Sequence, residues 1–109
     1  MERLFVYGTL APGEPNEHIL QKLVGTWQSG FVRGKLYPQG WGAVQGYPAM
    51  VPDETGDKIS GFVFSSTQLS EHWKRLDEFE GEEYERVLVE VELADKRTTL
   101  AFVYALKDQ

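Results

Sequence analysis

Between residues 87 and 93 the chain alternates without a break. Val87, Val89, Val91 and Leu93 fall on one side, and Leu88, Glu90 and Glu92 on the other. A period of two belongs to a strand with one buried face, because a helix would scatter those valines around its axis. Such a strand needs neighbours. Residues 94–98 read as a turn, and residues 100–106 return as a partner strand. Residues 3–7 form a β-branched and aromatic first strand, cut off at Gly8. Residues 26–37 read as one or two strands, in which Gly30 and Gly34 predict bulges or a sharply curved sheet. Residues 49–51 and 59–64 bracket a turn at 52–57. Two helices complete the reading. One is capped by Asn16, carries Ile19, Leu20 and Leu23, and stops at Gly25; the other starts at Ser66 or Thr67 and stops at Gly81. Short strands curved by glycine, with two short helices, predict an α+β fold built on a small mixed, barrel-like β-sheet.

A length of 109 residues predicts a single domain over 1–109, with one core. The late apolar run at 100–106 is far too short to span a membrane. The run LFVYGTL at 4–10 lacks the flanks of a secretion signal and reads as structure. There is no cysteine, which removes disulfides, thiolate catalysis and cysteine zinc sites and makes a cytoplasmic location the default. A net charge of −6, with eleven scattered basic residues, excludes nucleic acid as a partner. Oligomeric state is left open.

The segment LDEFEGEEYER holds six carboxylates within the nine positions from Asp77 to Glu85. Helical phase separates them. At about 100° per residue, Leu69, Trp73, Leu76 and Glu80 lie within roughly 60° of arc. Phe79 is expected to flank that face, Glu78 to point away from it and Asp77 to sit on its border. The stripe that buries the helix therefore carries Glu80 inward. A desolvated glutamate rises above its usual pKa of about 4.3 and suits general base chemistry near neutral pH. Two blander readings compete: Glu80 turns into solvent at a frayed helix end, or it pairs with Arg86. Glu82, Glu83 and Glu85 read as exposed turn residues. The alternating D-x-D-x-D-G ligand pattern of a calcium loop is missing, so no metal site is expected.

At FVYGTL, Gly8 lets a ligand approach the backbone closely, and the N–H groups of Gly8, Thr9 and Leu10 are placed to form a nest for an anion. The competing reading is a plain strand-to-loop turn. Other chemistries lack their residues: there is no G-x-S-x-G, no nucleotide-binding glycine motif and no metal spacing around His18 or His72. Trp27, Trp41 and Trp73 read as core or rim residues. The stretch PQGWGAVQGYP at 38–48 reads as a surface loop or flap.

Taken in order, LFVYGTL, PNEHIL, GYPAMVP, GFVFS and LDEFEGEEYER resemble the gamma-glutamylcyclotransferase family of the AIG2-like type, from Leu4 to about Leu106. The resemblance implies a small mixed barrel with a cavity at one end. It also implies a reaction: cyclisation of a γ-glutamyl group to 5-oxoproline, releasing an amine or amino acid. It makes Glu80 the catalytic acid/base and assigns Tyr7, Gly8, Thr9, Leu10, Tyr84, Arg86 and Tyr104 to substrate binding. The implied partner is a small γ-glutamyl compound, with no cofactor or metal. The acidic segment APGEPNE departs from the basic loop of many relatives and leaves the released amine open. The competing function is a non-catalytic module that holds a small ligand or a protein in the same cavity.

Overall fold

In the computed structural model, described for residues 2–7, 13, 18–37, 49–81 and 84–106, six strands form one curled sheet. They are β1 (Glu2–Val6), β2 (Thr26–Tyr37), β3 (Ala49–Pro52), β4 (Asp57–Ser66), β5 (Tyr84–Leu93) and β6 (Thr98–Leu106). Their order is β3-β2-β4-β1-β6-β5, and a further β2–β5 pairing at Gly30 and Phe31 closes five of the six into a ring. The sixth, β3, lies against the far end of β2. Among the described residues only β1–β6 is parallel, which makes the sheet mixed. The predicted barrel-like α+β fold is the observed one.

Alternation along the strands sorts the apolar residues onto two faces. Phe5, Val32, Met50, Ile59, Val63, Val91, Leu93, Ala101 and Val103 come only from strands and fill the ring's interior. Leu4, Val6, Phe64, Tyr84 and Tyr104 face outward, where Leu20, Leu69 and Leu76 cover them. The expected single core is thus divided by the sheet itself. β1 is buried on both sides, as a continuous apolar Leu-Phe-Val run requires.

The expected bulges in β2 are not there. The β2–β4 register runs unbroken from Thr26↔Ser65 to Gly34↔Asp57. The glycines serve close approach instead. At Gly61 a side chain would meet the Phe5 ring at 2.7 Å and the Val6 carbonyl, and at Gly30, directly opposite, it would meet the Glu92 carbonyl at 2.7 Å. Missing side chains at these inward positions let a narrow ring close around Phe5.

Two helices flank the ring, α1 (His18–Gln21) and α2 (Trp73–Glu80). The second starts later than its sequence predicts. Ser66 still belongs to β4, and its hydroxyl donates to the Val24 carbonyl at 2.5 Å, while the Gln68 side chain accepts from the Val24 N–H at 2.6 Å. These tertiary bonds hold the chain out of helical geometry until a short 3₁₀ turn, Leu69–Glu71, leads into α2. The proposed Asn16 cap and the loop 38–48 lie outside the described residues.

Candidate functional site

Gly81 ends α2 as expected, with φ at +92° and its N–H donating to the Asp77 carbonyl at 3.1 Å. A glycine accepts this backbone without a steric penalty. The helix therefore finishes on Glu80. Its inward stripe is as the phase predicts: Leu69 and Leu76 are fully buried, and Trp73 and Glu80 partly so. Phe79 is the exception. It is 42% exposed, because a helix of two turns lying on a curved sheet buries a narrower arc than the sequence reading assumed. Glu78 and Glu85 are exposed, as expected.

Burial pushes the Glu80 carboxyl up to about 7. Among the described acids from Asp77 to Glu85, Glu80 alone is turned inward. Losing hydration disfavours the charged carboxylate and leaves it ready to exchange a proton near neutrality.

Three tyrosines surround this end of the helix. The Tyr7 hydroxyl donates to the Tyr104 backbone carbonyl at 3.0 Å and accepts from the Met50 N–H at 3.1 Å. Burial drives its pKa far above the usual phenol range against the smaller downward pull of the Met50 N–H, and the nearby charges of Glu80 and Tyr84 raise it further. The Tyr104 phenol donates to Asp77 Oδ1 at 2.7 Å. Its pKa is raised first by burial and then by that carboxylate, with a further contribution from Glu80. Both phenols stay protonated at any physiological pH and act as hydrogen-bond donors, never as anions.

Arg86 does not pair with Glu80. Its Nε lies 3.4 Å from Asp77 Oδ1, and its guanidinium sits 4.3 Å over the Trp73 ring and 5.3 Å over Phe102. Asp77, placed on the border of the stripe by phase, thus accepts from Tyr104 and pairs with Arg86. Met50 and the Trp73 platform went unread in the sequence, since nothing local marks a backbone N–H or an indole face that finds its partner across the sheet. Beside this network a groove of about 540 Å³ opens between Gly81, Tyr84, Arg86 and Tyr104. Of the residues that the resemblance assigns to the site, Tyr7, Glu80, Tyr84, Arg86 and Tyr104 come together. Gly8, Thr9 and Leu10 lie outside the described residues, directly after Tyr7. Among the described residues no cluster of three or more metal-ligating side chains occurs, and no helix is long and apolar enough to cross a membrane.

Fold and site define a small mixed-barrel protein whose outer helix delivers a partly buried carboxylate beside the end of the first strand. The chain belongs to the gamma-glutamyl cyclotransferase, AIG2-like family, whose model matches residues 4–109. AIG2-like protein C of Arabidopsis thaliana is 39% identical over 111 residues, covering 96% of this chain and 60% of its own length. AIG2-like protein D of the same plant is 32% identical over 119 residues, covering 99% of this chain and 70% of its own. The crystal structure of YkqA from Bacillus subtilis superposes with a TM-score of 0.72 at 28% identity, over 97% of this chain and 36% of that one. The chain thus spans well under two thirds of the length of two of these three relatives.

Proposed function

We propose that this chain is a gamma-glutamylcyclotransferase with Glu80 as its general acid/base. The observation that carries the reading is a partly buried carboxylate, raised to about 7, on the strand-facing stripe of α2 and near Tyr7. Membership of the family supports it. A γ-glutamyl substrate brings its own nucleophile. Glu80 takes a proton from the α-ammonium group, and the freed amine attacks the γ-carbonyl carbon to close a five-membered ring. The tetrahedral oxyanion then collapses, the bond to the leaving nitrogen breaks as the protonated Glu80 returns its proton to that nitrogen, and the freed carboxylate takes the surplus proton from the ring nitrogen and passes it to the released amine, which leaves as its ammonium ion. The products are 5-oxoproline and an amine. Backbone N–H groups of Gly8, Thr9 and Leu10 are assigned to the oxyanion. Because both reacting groups belong to one molecule, holding it folded supplies much of the acceleration. The cysteine-free composition supports a reducing, cytoplasmic setting.

The test is formation of 5-oxoproline from a panel of γ-glutamyl amines and γ-glutamyl amino acids by the wild type and by Glu80→Gln. Product from the wild type and a loss of at least a hundredfold in the variant are expected. Equal rates remove Glu80 as the base. Binding without turnover in the wild type establishes a non-catalytic module instead.

A further inference from the structure

The geometry points to Asp77, Arg86 and Tyr104 as a latch that holds α2 against the β5–β6 pair, so that they position the base and do not bind substrate. This rests on the reading of Glu80 as that base. Six contacts build the latch. Trp73, the first residue of α2, meets Phe102 of β6 edge to face at 5.3 Å. Arg86 of β5 lies across both rings, which fixes the start of the helix. One turn further on, Asp77 Oδ1 accepts from the Tyr104 phenol and forms an ion pair with Arg86 Nε at 3.4 Å. Tyr104 then uses its backbone carbonyl to hold the Tyr7 phenol.

The register makes this possible. Arg86 and Tyr104 are direct cross-strand partners, so their side chains rise together from one face of the β5–β6 pair and reach Asp77 side by side. Asp77 precedes Glu80 by three residues, nearly one helical turn, so fixing one fixes the other within a rigid segment. Tyr104 is the hinge of the arrangement: its side chain ties down α2 and its main chain ties down β1. A substrate contact requires only one side chain in the groove. The observed commitment of Arg86 Nε, the Arg86 guanidinium face and the Tyr104 phenol to protein partners fits a positioning role.

Two substitutions test the latch without altering the charge near Glu80. Tyr104→Phe removes the donor to Asp77 while leaving the carbonyl that holds Tyr7. Arg86→Lys keeps the cation and loses the flat stack on Trp73. The groups whose charges act together with Glu80 are Tyr7, directly after β1, and Tyr104 on β6, with Tyr84 of β5 beside Tyr7 and Asp77 on the helix of Glu80 itself. Burial keeps the Tyr7 phenol, and in Arg86→Lys the Tyr104 phenol, protonated between pH 5 and 8. The readout is the titration midpoint of the Glu80 side-chain carboxyl, followed by carbon NMR, with turnover against pH measured alongside.

With the latch released, water reaches Glu80 and its midpoint falls by at least one pH unit in both variants. The acidic limb of kcat/KM moves with it, kcat falls tenfold or more, and KM changes less than threefold. A midpoint that stays in place in both variants overturns the latch, and so does a large rise in KM with an unmoved acidic limb. If the midpoint moves while the wild type turns over no γ-glutamyl compound, the latch stands and the catalytic reading falls. Should Tyr104→Phe fail to fold, Arg86→Lys alone decides.

Discussion

Tyr7 and Tyr104 stand ninety-seven positions apart in the chain and meet through a single hydrogen bond of 3.0 Å, phenol to backbone carbonyl. Met50 completes the junction by donating its N–H to the same phenol. One side chain, directly after β1, thus ties the end of that strand to β6 and to β3.

Tyr7→Phe keeps the ring and deletes this junction, leaving the Met50 N–H and the Tyr104 carbonyl without that partner. The expected cost is about 1–3 kcal/mol, the penalty for unmatched polar groups in a largely buried site. Urea unfolding at pH 7 measures it. A loss below about 0.3 kcal/mol means that solvent satisfies both groups and the junction is not sealed.

Glu80 makes stability depend on pH in a stated direction. Its folded pKa, about 7, lies above the ordinary 4.5, so the folded state resists ionisation more than the unfolded state does. The wild type therefore loses stability as pH rises from 4.5 to 7, by up to about 3 kcal/mol, and the loss is complete above 7. Glu80→Gln avoids that loss. The variant matches the wild type near pH 4 and exceeds its denaturation midpoint at pH 8. Parallel curves across that interval refute a desolvated Glu80.

Packing predicts a sharp contrast between two leucines. Leu76 is buried beneath α2 and Leu88 is 54% exposed on the outer face of β5. Leu76→Ala should cost about 2–5 kcal/mol, and Leu88→Thr should stay within about 0.5 kcal/mol. Thermal unfolding of the two variants, side by side, checks the assignment of the outer cluster.

Gly61→Ala places a methyl group against the Phe5 ring and the Val6 carbonyl. Phe5 cannot retreat, since it fills the interior of the ring. A loss of about 1–3 kcal/mol is expected from overpacking. Pairing it with Phe5→Leu, which makes room, should recover part of the loss, and strictly additive costs contradict the contact.

Local periodicity made much of this legible. The alternation at 87–93 foretold β5, with Val91 and Leu93 fully inside. The four-and-three spacing of Leu69, Trp73 and Leu76 singled out Glu80 because helical phase acts over the few residues that the pattern covers. What escaped depends on distant partners. The late start of α2 comes from bonds between Ser66, Gln68 and Val24, forty-odd residues away. Gly30 and Gly34 pointed rightly to a curved sheet and wrongly to bulges, since only the neighbouring strands say what a missing side chain is for. Arg86 found Asp77 and not Glu80 because the β5–β6 register aims it one turn earlier along the helix.

The parallel pairing of β1 with β6 also governs how the molecule must assemble. Leu4 lies beside Phe102, so β1 waits for β6, about a hundred residues later, before it gains its second edge. Local hairpins such as β5–β6 form without that delay, whereas closing the ring joins chain segments almost a hundred residues apart. Such non-local closure places refolding in the slow regime of milliseconds to seconds. Until that moment both edges of the future seam are open, and the growing chain is most exposed to pairing with another copy of itself.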